Sequence, residues 1–209
     1  MPTSTRKADV SPNNPCPFLR ALVSQGMLPD DVVGLGELGK TIVKTAKAGD
    51  GSPQLPAAAI RAIALIANGL SPLQLASNGL GGLHLNALRG GPLDKKGVGS
   101  GILDEHAQVV EKELARLDEF ASDQRDANGR AEPGLTLDDL KRMMDANFAR
   151  AKGRRRVIDR LLMDGEWPIL LKVMGKQGKR GRYLSVKEVR QLFVDRRLPQ
   201  RMSRRLAAG

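Results

Sequence analysis

Apolar residues recur at helical spacing through most of the chain. Phe18, Leu19, Leu22 and Val23 form the first such face, which predicts a helix running to about Gln25 and stopping at Gly26. A turn at Leu28-Pro29-Asp30-Asp31 leads into a second face of Leu35, Leu38, Ile42 and Val43. Pro56 opens a third helix with Ile60, Ile63, Ala64 and Ala67 on one side. Val109, Val110, Leu114, Leu117 and Phe120 share a face further on. Thr136 stands as an N-cap with Asp139 at the capping-box position, ahead of Leu137 and Leu140. Val157, Leu161 and Leu162 lead through Gly165 to Glu166-Trp167-Pro168 and then Ile169, Leu170, Leu171, Val173 and Met174. Ser185 caps a last helix with Val189, Leu192 and Phe193 inward. The period-two alternation of a half-buried strand is missing, apart from a short stretch near Tyr183. The expected fold class is therefore all-α, a compact helical domain.

The breaks between these segments set the organisation. Gly49-Asp50-Gly51-Ser52-Pro53 is a loop, residues 69–101 form a glycine-rich excursion with little period, and Asp123 to Pro133 reads as a polar turn. Loops as long as 69–101 usually carry function or disorder. Residues 1–12 read as a flexible N-terminal arm, 13–200 as a single domain and 201–209 as a basic C-terminal tail. Met1 to Asn14 is polar and lacks the apolar stretch of a signal peptide, and no apolar run reaches membrane-spanning length. The expected location is the cytoplasm. A formal net charge of +11 permits attraction to polyanions. Its dense runs, Arg154-Arg155-Arg156, Lys176 to Arg182 and Arg196 to Arg205, lack zinc-finger spacing and interleaved aromatics. They read as solvated faces, with no specific nucleic-acid partner expected.

Candidate chemistry begins at Cys16, the one cysteine in 209 residues, which excludes an internal disulfide. Pro15 holds the residue before it extended, and Pro17 suits the first turn of a helix. Cys16 then lies at a helix N-terminus, where the macrodipole favours an anion, and a thiolate there is a good soft ligand or nucleophile. The plainer alternative is a small buried apolar residue. Asp126-Ala127-Asn128-Gly129 looks like part of a calcium loop, but the bidentate acid required six residues after the glycine is Leu135, which rejects that site. His84, in the glycine-rich excursion, reads as structural or exposed. His106 follows Glu105 at a helix start, where a capping pair is the simpler reading. Glu166 sits among apolar neighbours, and a buried carboxylate there would suit proton transfer near neutral pH. The alternative is a carboxylate stabilised at a helix N-terminus.

Taken together, these segments resemble the haem-thiolate peroxidases of the chloroperoxidase and unspecific peroxygenase family, short type. Pro15-Cys16-Pro17 with Leu19, Ala21-Leu22 and Gly26 is similar to that family's opening motif. Glu105-His106 looks like the start of its Glu-His-Asp motif. Leu135 to Leu140 resembles a helix start of its shorter members, and Glu166 followed by Val189 to Pro199 is similar to the stretch holding the distal glutamate. The likeness covers roughly residues 12–200 in order. It implies haem b bound through Cys16 between Pro15 and Pro17, Glu166 as acid–base residue and His106 as its partner. Glu105 would ligate Mg²⁺ or Mn²⁺ near a haem propionate. The implied activity is peroxidase or peroxygenase chemistry on hydrogen peroxide and a small organic substrate; the partner expectation also includes a homodimer.

The chain departs from the family pattern at two places. The aspartate of the third motif is Ala107, and a serine two further on is Val109, which weakens the implied cation site. Gly165 to Phe193 also bears a faint similarity to caleosins, haem peroxygenases with histidine ligands; Pro15-Cys16-Pro17 favours the thiolate family. Two other readings remain at this stage: a haem-binding sensor without turnover, and a basic helical module that binds nucleic acid or an acidic partner, with Cys16 structural.

Overall fold

The computed structural model describes residues 10–50, 82–89, 99–151 and 157–208. Within them the chain is a mixture of helices and short antiparallel strands. The elements are α1 (Pro17–Ser24), β1 (Val32–Val33), α2 (Leu35–Lys47), β2 (Leu83–His84) and a 3₁₀ turn at Leu85–Ala87, then α3 (Glu111–Ala115) and α4 (Leu117–Phe120). There follow β3 (Ser122–Arg125), β4 (Ala131–Leu135), α5 (Leu137–Arg150), α6 (Val157–Met174), β5 (Lys176–Gly178), β6 (Gly181–Ser185), α7 (Val186–Val194) and α8 (Gln200–Ala208). The expected helix from Pro56 and the Arg154-Arg155-Arg156 run lie outside the described residues.

The all-α expectation is wrong. Val32 and Val33 pair with His84 and Leu83, and a second sheet runs in the order β3-β4-β6-β5, antiparallel throughout. The polar stretch Asp123 to Pro133 is not a turn but most of the β3–β4 hairpin, with Ser122 opposite Gly134 and Arg125 opposite Ala131. The basic stretch Lys176 to Arg182 is most of a second hairpin. Period-two reading missed both because the strands are two to five residues long and rich in Gly, Pro and charge. Their stability comes from cross-strand partners and not from an alternating apolar face.

The four-stranded sheet is built from two similar units. Leu135-Thr136-Leu137-Asp138-Asp139-Leu140 leaves the first hairpin as Leu184-Ser185-Val186-Lys187-Glu188-Val189 leaves the second. Leu135 pairs with Leu184 and Gly134 with Ser185, so equivalent residues meet where the two units join. The first exit helix carries the expected capping box: Thr136 Oγ1 accepts from Asp139 N, and Thr136 N donates to Asp139 Oδ2 at 2.9 Å. Ser122 Oγ donates to the same carboxylate at 2.8 Å, tying β3 to α5. Ser185 occupies the N-cap of α7 but donates its hydroxyl to Glu132 Oε2 at 2.8 Å instead of capping.

Tyr183 fills the centre of this sheet and is fully buried. A Cβ on Gly134 of β4 would stand 2.3 Å from its ring, and one on Gly178 of β5 would stand 2.8 Å from it, so only glycine fits beneath the ring on either side. Its hydroxyl donates to Glu132 Oε1 at 2.7 Å, and Lys176 pairs with the same carboxylate. Burial disfavours the Glu132 charge, but the donors Lys176, Tyr183 and Ser185 outweigh it and hold the carboxyl below its ordinary value. Burial and the adjacent carboxylate push the Tyr183 hydroxyl upward.

One apolar cluster joins the elements. α1 contributes Phe18, Ala21, Leu22 and Val23, α5 contributes Leu140, Met143 and Met144, and α7 contributes Val186, Val189, Leu192 and Phe193, the last three as expected. α6 packs against α5 and α2, and α1 against α7. Residues 200–208, partly set apart in the sequence as a basic tail, form α8. Arg205 donates to the Ala48 and Gly49 carbonyls past the end of α2, each at 3.0 Å, and to Asp50 at 2.7 Å. Arg201 bridges Glu188 and Asp50.

Glu132→Gln removes the one anion facing Lys176, Tyr183 and Ser185. The expected cost is about 2 kcal/mol, as for other buried hydrogen bonds to charged groups. Because the folded carboxyl titrates lower than the unfolded one, Glu132 stabilises fully above the ordinary Glu pKa near ~4.3, and the gain is lost as pH falls toward the folded value. Urea titrations at pH 7 and in acid should therefore show the variant and the wild type converging at low pH.

Candidate functional site

Cys16 lies where its sequence places it. It is the N-cap of α1, with an extended backbone (φ −83°, ψ 111°), Pro17 in the first turn and no capping hydrogen bond from its own side chain. The residue is half-buried. Asn14, fully buried, accepts the Cys16 N–H on Oδ1 at 3.1 Å, an Asx turn that fixes the entry to the helix. The other side-chain atom of Asn14, Nδ2, is buried and finds no acceptor among the described residues.

Arg20 organises the segment from below. Its side chain, 3 % exposed, reaches back to donate from Nη1 to the carbonyls of Ser11 at 2.7 Å and Asn14 at 3.1 Å. Burial pushes its guanidinium down to about 10; Arg196 and Arg89 push the same way, while Asp30 and Cys16 oppose them. A cation thus stands within electrostatic reach of the Cys16 sulfur. The Asp30 carboxylate in turn accepts the Ser11 N–H at 3.0 Å.

A second segment clips onto the first. Leu85 N donates to Asp31 O at 2.7 Å, and Arg89 N donates to Asn13 O at 2.9 Å. The Arg89 side chain then donates to Asp104 O. Arg89 therefore links the strand entering Cys16 to the turn that carries Glu105 and His106. That turn is closed by Asp104, whose Oδ1 accepts from His106 N at 2.9 Å and Gln108 N at 2.8 Å. The bridge Leu103–Val109 flanks it, and Ala107 adopts φ 57°, a left-handed conformation costly for a residue with a Cβ.

No family model matches the chain, and no curated protein or solved structure does either.

The site residues expected from the sequence fall into three places. Cys16, Pro15 and Pro17 form the loop-to-helix entry just described. Glu105 and His106 point to solvent from the Asp104 turn, with side chains 86 % and 75 % exposed, and pair with each other at 3.6 Å. Asp104 is committed to closing its own turn. Among the described residues, no three His, Cys, Asp or Glu side chains stand together as a metal site. Glu166 lies on α6, which runs unbroken from Val157 to Met174 with Pro168 inside it. No new helix begins at Glu166, and its side chain is exposed while Trp167, one residue on, is buried and stacked on Phe193 at 6.3 Å. Trp167 and Leu171, four residues apart, share a buried face that begins about 100° round the helix from Glu166. His84 pairs with Val32 across the small sheet. At the first hairpin turn, Asp126 Oδ1 accepts from Asn128 N and Arg130 N.

Sequence reasoning missed Asn14, Arg20 and Arg89. Two signals were present: an Asn two residues before Cys16, the spacing of an Asx turn, and an arginine inside the apolar run Phe18 to Val23. Arg20→Met keeps the apolar stem but leaves the Ser11 and Asn14 carbonyls without their donor. It should lower stability by about 3 kcal/mol, read by urea unfolding, the range for breaking a buried charged hydrogen-bond set.

Proposed function

We propose that the chain is a haem-thiolate protein that uses hydrogen peroxide to oxidise or oxygenate small organic molecules, with Cys16 as the residue that would hold the haem iron. The observation that carries the reading is the Cys16 entry itself. A half-buried cysteine caps α1, its backbone fixed by Asn14 and two prolines, with the Arg20 guanidinium close by to favour its anion. That donor set fits a proximal thiolate. Arg89 supports the reading further, because it ties the Cys16 entry to the Asp104 turn, and so brings together two segments whose order matches the family pattern.

A thiolate-ligated haem, when bound, favours O–O cleavage of peroxide. Cys16 supplies the thiolate, and Asn14 and Pro17 set its direction. Glu166 is the residue assigned to proton transfer at the peroxide oxygens, a role worth about 10²–10⁴-fold in rate. Glu105, turned to solvent and paired with His106, is left without a cation role.

Reconstitution with haem tests the ligand. The ferrous–CO complex should show the long-wavelength Soret band of thiolate ligation, and Cys16→Ala should lose it at equal protein fold. A wild-type protein that takes up no haem, or a Cys16→Ala variant with an unchanged carbonyl spectrum, removes the assignment. Glu166→Gln should retain haem with a normal spectrum yet react with peroxide about 10²–10⁴-fold more slowly. A rate within a few-fold of wild type moves the acid–base role elsewhere.

A further inference from the structure

Many of the described helix arginines are used internally: Arg116 and Arg150 pair with Glu113, Arg142 with Asp139, Arg160 with Asp145 and Asp164, and Arg190 with Asp118. Arg201 and Arg205 pair with Glu188 and Asp50. The base of the basic hairpin is used in the same way. Lys176 is held by Glu132, and Arg182 turns back to the Asp50 and Gly175 carbonyls.

The tips of the two hairpins differ. Lys179 N donates to Arg125 O at 3.0 Å, and Asp126 bridges to Gly178, so the β3–β4 and β5–β6 turns lie side by side. Arg125, at the end of β3, and Arg130 come from the first hairpin, Lys179 and Arg180 from the second; all four are exposed, and Arg125 spends Nη1 on the Gly129 carbonyl at 3.2 Å. The Lys179 ammonium lies over Gly129, 3.7 Å from where a Cβ there would stand. Among the described residues, no carboxylate forms an ion pair with any of the four. The nearby Asp126 spends one carboxylate oxygen on its own turn. Four cations from two separate sequence segments thus converge on one knob with one carboxylate among them.

We infer that this knob binds the phosphate backbone of double-stranded nucleic acid without reading its sequence. Three of the four cations are arginines, whose planar fork matches phosphate oxygens. Among the described residues the exposed large apolar ones are Val32, Leu137 and Val194, none of them on the knob, so it lacks the wedge a membrane surface or an apolar protein partner would use. It has no exposed aromatic to stack on unpaired bases, which favours a duplex over a single strand. Phosphate contacts position a protein on a duplex and carry no sequence information. The proposal concerns a surface remote in its logic from Cys16 and stands whether or not haem binds.

Anisotropy of a labelled 20-base-pair duplex with the full chain tests this. Four phosphate contacts give a salt slope of about −3.6, so affinity should fall roughly a hundredfold between 50 and 200 mM salt, equally for unrelated sequences. The triple change Arg130→Ala, Lys179→Ala, Arg180→Ala should weaken binding more than tenfold at low salt and reduce the slope by about 3. Lys40→Ala, Lys44→Ala, Lys47→Ala removes the same charge from an exposed stripe of α2 and should leave the slope unchanged. Equal losses from both triples would assign the binding to net charge and overturn the proposal. So would a tip variant that binds like wild type, or tighter tip-dependent binding to phosphatidylserine vesicles than to the duplex. Arg180→Glu, a single change at an exposed turn, supplies the same reading should the triple variant fold poorly.

Discussion

The Tyr183–Glu132 pair is the contact on which the C-terminal half depends. Each hairpin alone is too short and too polar to persist, since an isolated two-stranded hairpin is marginal in water. Tyr183 joins them by lying over Gly134 on one side and Gly178 on the other, which spreads one aromatic ring across three strands. Glu132 completes the join by collecting a phenol, a hydroxyl and an ammonium from the second hairpin. A carboxylate with three donors is stable in a half-buried place where an unpaired one would not be. The exit helices then start from a fixed sheet; α5 packs on α6, and α7 on α1.

What the sequence made legible follows from period and caps. α5 with its Thr136–Asp139 box, the inward face of α7 and the Cys16 entry to α1 all carry local signals that tertiary context did not override. The sheet was illegible because its strands are held by Tyr183, Glu132 and glycine contacts, which leave no alternation to read. The placement of Glu166 was misjudged for a related reason. Reading Trp167-Pro168 as a helix start merged two faces of one helix, whereas at 100° per residue Trp167 faces inward and Glu166 outward. The pairing of Leu135 with Leu184 needed the fold.

The N-terminal part is organised by cations, the buried Arg20 and the half-buried Arg89, instead of an anion. Arg20 sits at the base of the Cys16 loop and holds Ser11 and Asn14, while Arg89 carries the connection onward to Asp104. Both arginines satisfy backbone carbonyls that a loop would otherwise bury unpaired. Asp30 supplies the nearest compensation for Arg20. Arg20 Nη1 donates to two carbonyls at once, which holds the segment entering Cys16 against the first turns of α1.

The high net charge of the chain is therefore several things at once. Arg205 caps the end of α2, replacing water on the Ala48 and Gly49 carbonyls, and Arg201 does the same for the Met174 carbonyl at the end of α6. Arg116, Arg142, Arg150 and Arg160 tie helices to carboxylates and contribute modestly, as surface pairs do. Counting charges along the chain cannot separate these from cations left for an external anion, because Lys176 and Arg182 belong to the same run as Lys179 and Arg180. Only the hairpin makes the distinction: residues near its base turn toward Glu132 and Asp50, and residues at its tip meet Arg125 and Arg130 from another segment. Self-repulsion among those four is tolerated because they are solvated, where screening is strong. Buried next to one another, they would have demanded the carboxylate partners that the rest of the molecule has taken.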